Sequence, residues 1–322
     1  MKIHLLSPDA KDWIDPPVHS LLRQLPDANK AQSVASADVT IVPISHHNEF
    51  RYNEGAMSSL RGKRWVLQDW SEFGWDWLQL TSYLWGQNRT SLPKFDNEEY
   101  RKFDQFMRDN PPILTFQREL LQKDRTDRLI PIEYAAWLPE VGASPKEEFL
   151  KRPLDCSYYW GRSHEARLEM HANIFSWART GGYDLLSEWN HVDKAIADNP
   201  HSRKWLAVYA PHFSRIDVRE VQSFLQKSKV TIVMNGAGVK TFRHGEACQD
   251  AILAVPKDEL AWSYPWVWGQ NCLKADVKTI LDALMTPDSL YELYMNGMAN
   301  ASNYRYDAYL RRWVVGNIER CL

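Results

Sequence analysis

Short apolar runs recur along this chain, separated by stretches in which apolar residues return at helical spacing. Runs at 3–6, 39–44 (VTIVPI), 64–67 (RWVL), 113–116 (ILTF) and 129–132 predict strands in the first half. Runs at 154–160 (LDCSYYW), 205–209, 230–234 and 251–255 predict strands in the second. The run at 39–44 is apolar nearly throughout, which suits a buried parallel strand. Helical spacing predicts helices over 18–24, 98–108, 165–180 (EARLEMHANIFSWART) and 218–226, and through most of the tail from 276 to 322. A charged helix carrying Arg118, Glu119 and Lys123 is expected after the 113–116 strand. Strands alternating with helices predict an α/β architecture with doubly wound parallel sheets. The stretch 138–153 (LPEVGASPKEEFLKRP) combines Pro, Gly, Ser and charges and reads as a linker. The strand pattern restarts beyond it, so two domains are expected, 1–150 and 151–322.

Composition narrows the classes of function. A length of 322 residues suffices for two domains, and 44% hydrophobic with 25% charged residues is globular. The net charge of −2 excludes a global basic surface for nucleic acid. Four widely spaced cysteines without a CxxC pair form neither a zinc knuckle nor a dense disulfide scaffold, so a reducing, cytoplasmic location is expected. The opening MKIHLLSPDA has too short an apolar run for a signal peptide or a membrane span. Fifteen tryptophans include Trp70, Trp75 and Trp77, and later Trp262, Trp266 and Trp268. Such residues fill the core of a large α/β protein, or line a cleft and stack on sugar faces or a nucleobase.

The candidate chemistry concentrates in 229–255, KVTIVMNGAGVKTFRHGEACQDAILAV. A strand, a glycine turn (Gly236, Gly238), three potential cations (Lys240, Arg243, His244), Glu246 and a further strand follow one another. Glycines let the backbone approach anionic oxygens, and a helix N-terminus carries partial positive charge. A carboxylate just beyond suits ribose hydroxyls. The order fits a phosphorylated ligand.

This segment resembles the nucleotide-sugar half of GT-B glycosyltransferases, especially the exostosin-like and family 1 types, through Ser228-Lys229, Gly236-Ala237-Gly238, Arg243 and Glu246. It departs from them at Ala247-Cys248-Gln249-Asp250, where many members carry a small residue, glycine and proline. Three further stretches carry a fainter likeness: 38–43, 114–119 (LTFQRE) and 154–167 (LDCSYYWGRSHEAR). The resemblance implies an α/β fold of two Rossmann-like domains facing across a cleft. The first would bind the acceptor, and the second a nucleotide-sugar donor, with a C-terminal helix that can cross back. It implies a transferase that uses the nucleotide-sugar as substrate and needs no metal or other cofactor. Lys240 and Arg243 would neutralise the diphosphate together with Arg162, Glu246 would hold the ribose, and His244 would lie at the same site or against a neighbouring strand.

An inverting transfer needs a general base near the acceptor hydroxyl. Strand ends facing a crevice supply His46, His47 and Asp69, with Asp9 and Glu72 in similar places. Inverting and retaining outcomes both stay open. No DxD, HxxxH or GxSxG pattern is present, which disfavours metal-dependent transferases and serine hydrolases. A glycan or lipid-linked glycan is the expected acceptor. Hydroxymethylated DNA is the alternative, with Arg203, Lys204, Arg215 and Arg219 as local cations. A non-catalytic nucleotide- or sugar-binding protein of the same fold is the rival from another class.

Overall fold

The computed structural model describes residues 1–6, 27–44, 52–69, 98–133, 142–161, 165–210, 218–234, 244, 250–256 and 260–322. The chain forms two compact units. One comprises Met1–Ala135, Glu259–Ser263 and Tyr306–Leu322, and the other Ala136–Asp258 and Tyr264–Arg305. The backbone therefore passes between units four times.

The first unit is built on five parallel strands: β1 (Ile3–Leu5), β2 (Val39–Ile44), β3 (Trp65–Asp69), β4 (Leu114–Gln117) and β5 (Leu129–Pro131). They lie side by side in chain order. Each crossover thus adds its strand in the same direction, and right-handed crossovers then put their helices on one face. The helices Glu54–Ser58 and Glu98–Asp109 accordingly share one core, in which Met57, Leu60, Phe103 and Phe106 pack on Val42, Trp65 and Leu67. The Trp65 indole N–H donates to the Asn110 carbonyl at 3.0 Å. Asn53 caps the shorter helix, its side chain accepting from the Ala56 N–H at 3.0 Å. Pro43 sits inside β2 at little cost, since β1 stops at Leu5, level with Ile41.

The second unit holds β6 (Leu154–Gly161), β7 (Asp184–Leu186), β8 (Lys204–Ala210), β9 (Ser228–Ile232), β10 (Ile252–Val255) and β11 (Leu273–Lys274). The spatial order is β11-β10-β9-β6-β8-β7, with every pairing parallel. The chain starts at β6, adds β7 and β8 on one side, and then returns past β6 to add β9, β10 and β11 on the other. The order reverses between β6 and β9. Two cores cover this sheet. In one, Tyr158, Trp160, Trp205 and Ile232 meet Ile174 of the helix Glu165–Gly181 and Tyr294 of the helix Pro287–Ser302. In the other, Leu206, Val208 and Leu253 meet Val221, Phe224 and Leu225 of the helix Val218–Gln226.

Three expectations are corrected. Among the described residues the first sheet is laid down in one direction, without the reversal of a doubly wound sheet, whereas the second reverses. No charged helix follows β4: Arg118 and Glu119 are 2% and 0% exposed, and only a 3-10 turn, Gln122–Asp124, precedes β5. The two charges satisfy one another, Arg118 Nε donating to Glu119 Oε1 at 3.1 Å, which permits burial. The expected linker is structured over 142–153. It holds the helix Lys146–Leu150, whose Phe149 lies in the core. There Arg152 is buried over the Phe149 and Tyr294 rings and donates to the carbonyls of Ser228 and Asp250. The expected 18–24 helix lies outside the described residues. Among the described residues no helix is long and apolar enough to cross a membrane.

Candidate functional site

In open α/β sheets, ligands bind outside the carboxyl ends of the strands, at a reversal of strand order where there is one. In the first unit those ends carry buried polar groups. Gln68 and Asp69 close β3, Gln117 closes β4 with Arg118 and Glu119 beyond it, and Glu133 follows β5. Asp69 is 2% exposed, and its carbonyl accepts the Arg118 N–H at 3.1 Å. The proposed base therefore belongs to β3 itself and is neither a loop residue nor a solvated cap. Gln68 is fully buried, and neither of its amide atoms has a hydrogen-bond partner. A buried amide left in that state is costly and rare.

Glu133 lies at the centre of a network that ties distant parts of the chain together. Its Oε1 accepts the Ser263 N–H at 3.1 Å, and its Oε2 accepts the Ser263 hydroxyl and, at 2.8 Å, the Tyr309 hydroxyl. The Glu133 N–H donates in turn to Tyr309 Oη at 2.9 Å, and the Ser263 and Tyr309 oxygens are 3.0 Å apart. Burial, and then the nearby Glu133 carboxylate, push the Tyr309 phenol well above its ordinary range, so it remains a neutral donor. A π-helical turn, Leu310–Val315, follows Tyr309, and Trp313 in it donates to the Pro131 carbonyl at 2.7 Å. Sequence reading missed this group. Glu133, Ser263 and Tyr309 belong to no local motif and meet only in the folded chain.

In the second unit the reversal sets β6 beside β9. Their ladder runs through Leu154↔Ser228 and Cys156↔Val230 to Ser157↔Thr231. Beyond that level two side chains join the strands. The Trp160 indole N–H donates to the Ile232 carbonyl at 3.2 Å. Arg167, early in the helix Glu165–Gly181, donates to the Gly161 carbonyl from one guanidinium nitrogen and to the Met234 carbonyl from the other, each at 3.3 Å. Gly161 and Met234 are the last described residues before 162–164 and 235–243, which carry Arg162, Gly236, Gly238, Lys240 and Arg243. Those five lie outside the described residues, as do Glu246, His46 and His47. His244 is helical and 5% exposed.

No family profile matches this sequence, and no curated protein matches it. Solved structures do. The crystal structure of HepE from Anabaena, in complex with UDP, aligns over the whole of both chains with a TM-score of 0.50 at 9% identity. The fold is GT-B. Sucrose-phosphate synthase from Thermosynechococcus elongatus aligns over 88% of this chain and 73% of its own at a TM-score of 0.46 and 13% identity. TarM aligns over 94% of this chain and 57% of its own at 0.45 and 9%. The last two, at TM-scores below 0.5, carry no weight beside the first. At 9% identity the likeness to HepE speaks for the GT-B architecture alone.

Proposed function

We propose that this chain is a glycosyltransferase that moves a hexosyl or pentosyl group from a nucleotide-sugar to a hydroxyl of a glycan or lipid-linked glycan, without a metal ion. One observation carries the reading: a GT-B fold whose second sheet reverses its strand order between β6 and β9, where the segments bearing Arg162 and the Gly236–Arg243 motif begin. That HepE was crystallised with UDP agrees with a nucleotide at such a fold. In the reaction the bond from the anomeric carbon to the diphosphate breaks, and a bond from the acceptor oxygen forms. In the inverting form the acceptor proton passes to a base, for which Asp69 at the end of β3 is the described candidate and His46 and His47 the others. Lys240, Arg243 and Arg162 stabilise the departing diphosphate by charge, while Glu246 holds the ribose.

The test has two stages. A thermal-shift screen of nucleoside diphosphates and nucleotide-sugars, with and without EDTA, should give a stabilising diphosphate that EDTA does not abolish. A transfer assay with the sugar of that nucleotide should then lose about 10²-fold or more in kcat on Asp69→Asn while diphosphate affinity is unchanged. Unaltered turnover would remove Asp69 from the mechanism. Binding without transfer to any acceptor would favour a non-catalytic nucleotide-sugar-binding protein.

A further inference from the structure

The opening between β6 and β9 poses an electrostatic problem. Past Ser157 and Thr231 the two strands are no longer paired, and β6 runs on to Gly161 beside β8 alone. Carbonyl oxygens at the mouth of such an opening carry partial negative charge and would repel an anion bound there. The Arg167 guanidinium covers two of them, Gly161 and Met234, one on each side of the opening. The Trp160 indole covers a third, that of Ile232. Arg suits this task because its rigid planar fork holds donors at a fixed separation and reaches two acceptors at once, whereas a lysine ammonium is a point charge. Arg167 is part-buried at the head of a long helix, so its reach is short and its placement is set by the helix.

We propose that Arg167 is a positioning residue of the donor site: it bridges the carboxyl ends of β6 and β9, masks their carbonyl dipoles, and fixes the crevice in which a nucleoside diphosphate binds. This rests on the transferase reading for its ligand, but the bridge itself is a contact within the chain. Arg167 was not among the donor residues expected from sequence, although it ends the 154–167 stretch that carries a likeness to the family.

Two measurements on the full chain test it, with Arg167→Lys, Arg167→Met and, as a control, Arg203→Met. Arg203 pairs with Asp155 near the start of β6 and lies beside the Tyr183 ring, at the amino ends of the strands and so at the opposite end from Gly161 and Met234. Hydrogen exchange without ligand should quicken about tenfold at 158–161 and 230–234 in both Arg167 variants, with β7 and the far part of β8 unaltered. Calorimetry with UDP and GDP, each beside its nucleoside, should show diphosphate affinity falling about 10- to 100-fold in both variants. Nucleoside affinity should hold, and Arg203→Met should match the parent. Because Arg167→Lys keeps the charge, a lysine variant that behaves as the parent in exchange and affinity would overturn the bridging role. So would unchanged exchange in Arg167→Met. If the parent protein binds no diphosphate, the transferase reading fails, and exchange alone still decides the bridge.

Discussion

Tyr309→Phe removes one oxygen, and the structure gives that oxygen two tasks. It donates to the Glu133 carboxylate at 2.8 Å, and it accepts the Glu133 N–H at 2.9 Å. A hydrogen bond to a charged group contributes about 1.5–3 kcal/mol, and a buried N–H left without its acceptor costs about 1–3 kcal/mol. The two losses overlap because the site relaxes, so about 3 kcal/mol is expected. A matched control stands a few residues away. The Tyr304 hydroxyl also donates and accepts, to the Tyr264 carbonyl at 2.6 Å and from the Tyr264 N–H at 3.3 Å, with no charge involved. Tyr304→Phe should cost about 1–2 kcal/mol. Urea titrations of the two variants give the difference, read separately for each unit if the transition has two steps. Exchange mass spectrometry gives the location. Tyr309→Phe should unprotect 310–318, and Tyr304→Phe should leave that segment as in the parent. Equal costs for the two variants, or unchanged protection at 310–318, would refute the view that Glu133 anchors the tail to the first unit.

Other consequences follow from buried polar groups. Burial raises the Asp250 carboxyl to about 6, only partly offset by Arg152 and Gln226. An acid with a folded pKa above its unfolded value favours folding at low pH, and that advantage is lost as pH rises through about 6; Asp250→Asn should therefore gain about 2–3 kcal/mol at pH 7.5 and nothing near pH 3.5, whereas a gain independent of pH would contradict this origin. Gln68→Met should stabilise by about 1 kcal/mol if the orphaned amide is only a burden, and a loss of transfer activity at unchanged stability would instead give Gln68 a part in ligand binding. Arg118→Met removes the guanidinium that Glu119 accepts from and should cost at least about 1.5 kcal/mol in urea melts, with Arg118→Met/Glu119→Gln recovering part of it; a double variant no more stable than the single one would count against the pair.

Sequence reading located most of the strands because their residues are buried and leave apolar runs. β2 falls on VTIVPI, and β6 starts at Leu154 as expected. It missed β7 and β11, whose DLL and LK are too short to stand out from their surroundings. It put Arg118 and Glu119 on a charged helix, and only the folded pair shows how they come to be buried. Strand order is not written in periodicity, so the sequential first sheet was not foreseen. The Glu133 network joins residues 130 and 176 positions apart, beyond any motif window. Asp69 was legible as a strand-end carboxylate, whereas Arg167, though inside the 154–167 stretch, was given no role of its own.

The four passages of the backbone between units bear on biosynthesis. A chain leaving the ribosome ordinarily completes its N-terminal domain first. Here the first unit lacks Glu259–Ser263 and Tyr306–Leu322 until after 136–258 has been made. During that interval Glu133 and the Pro131 carbonyl wait for Ser263, Tyr309 and Trp313. Of the two units, the one begun first is thus completed last, and a chain cut short before Tyr309 would leave the earlier-made of the two sheets without its closing segment.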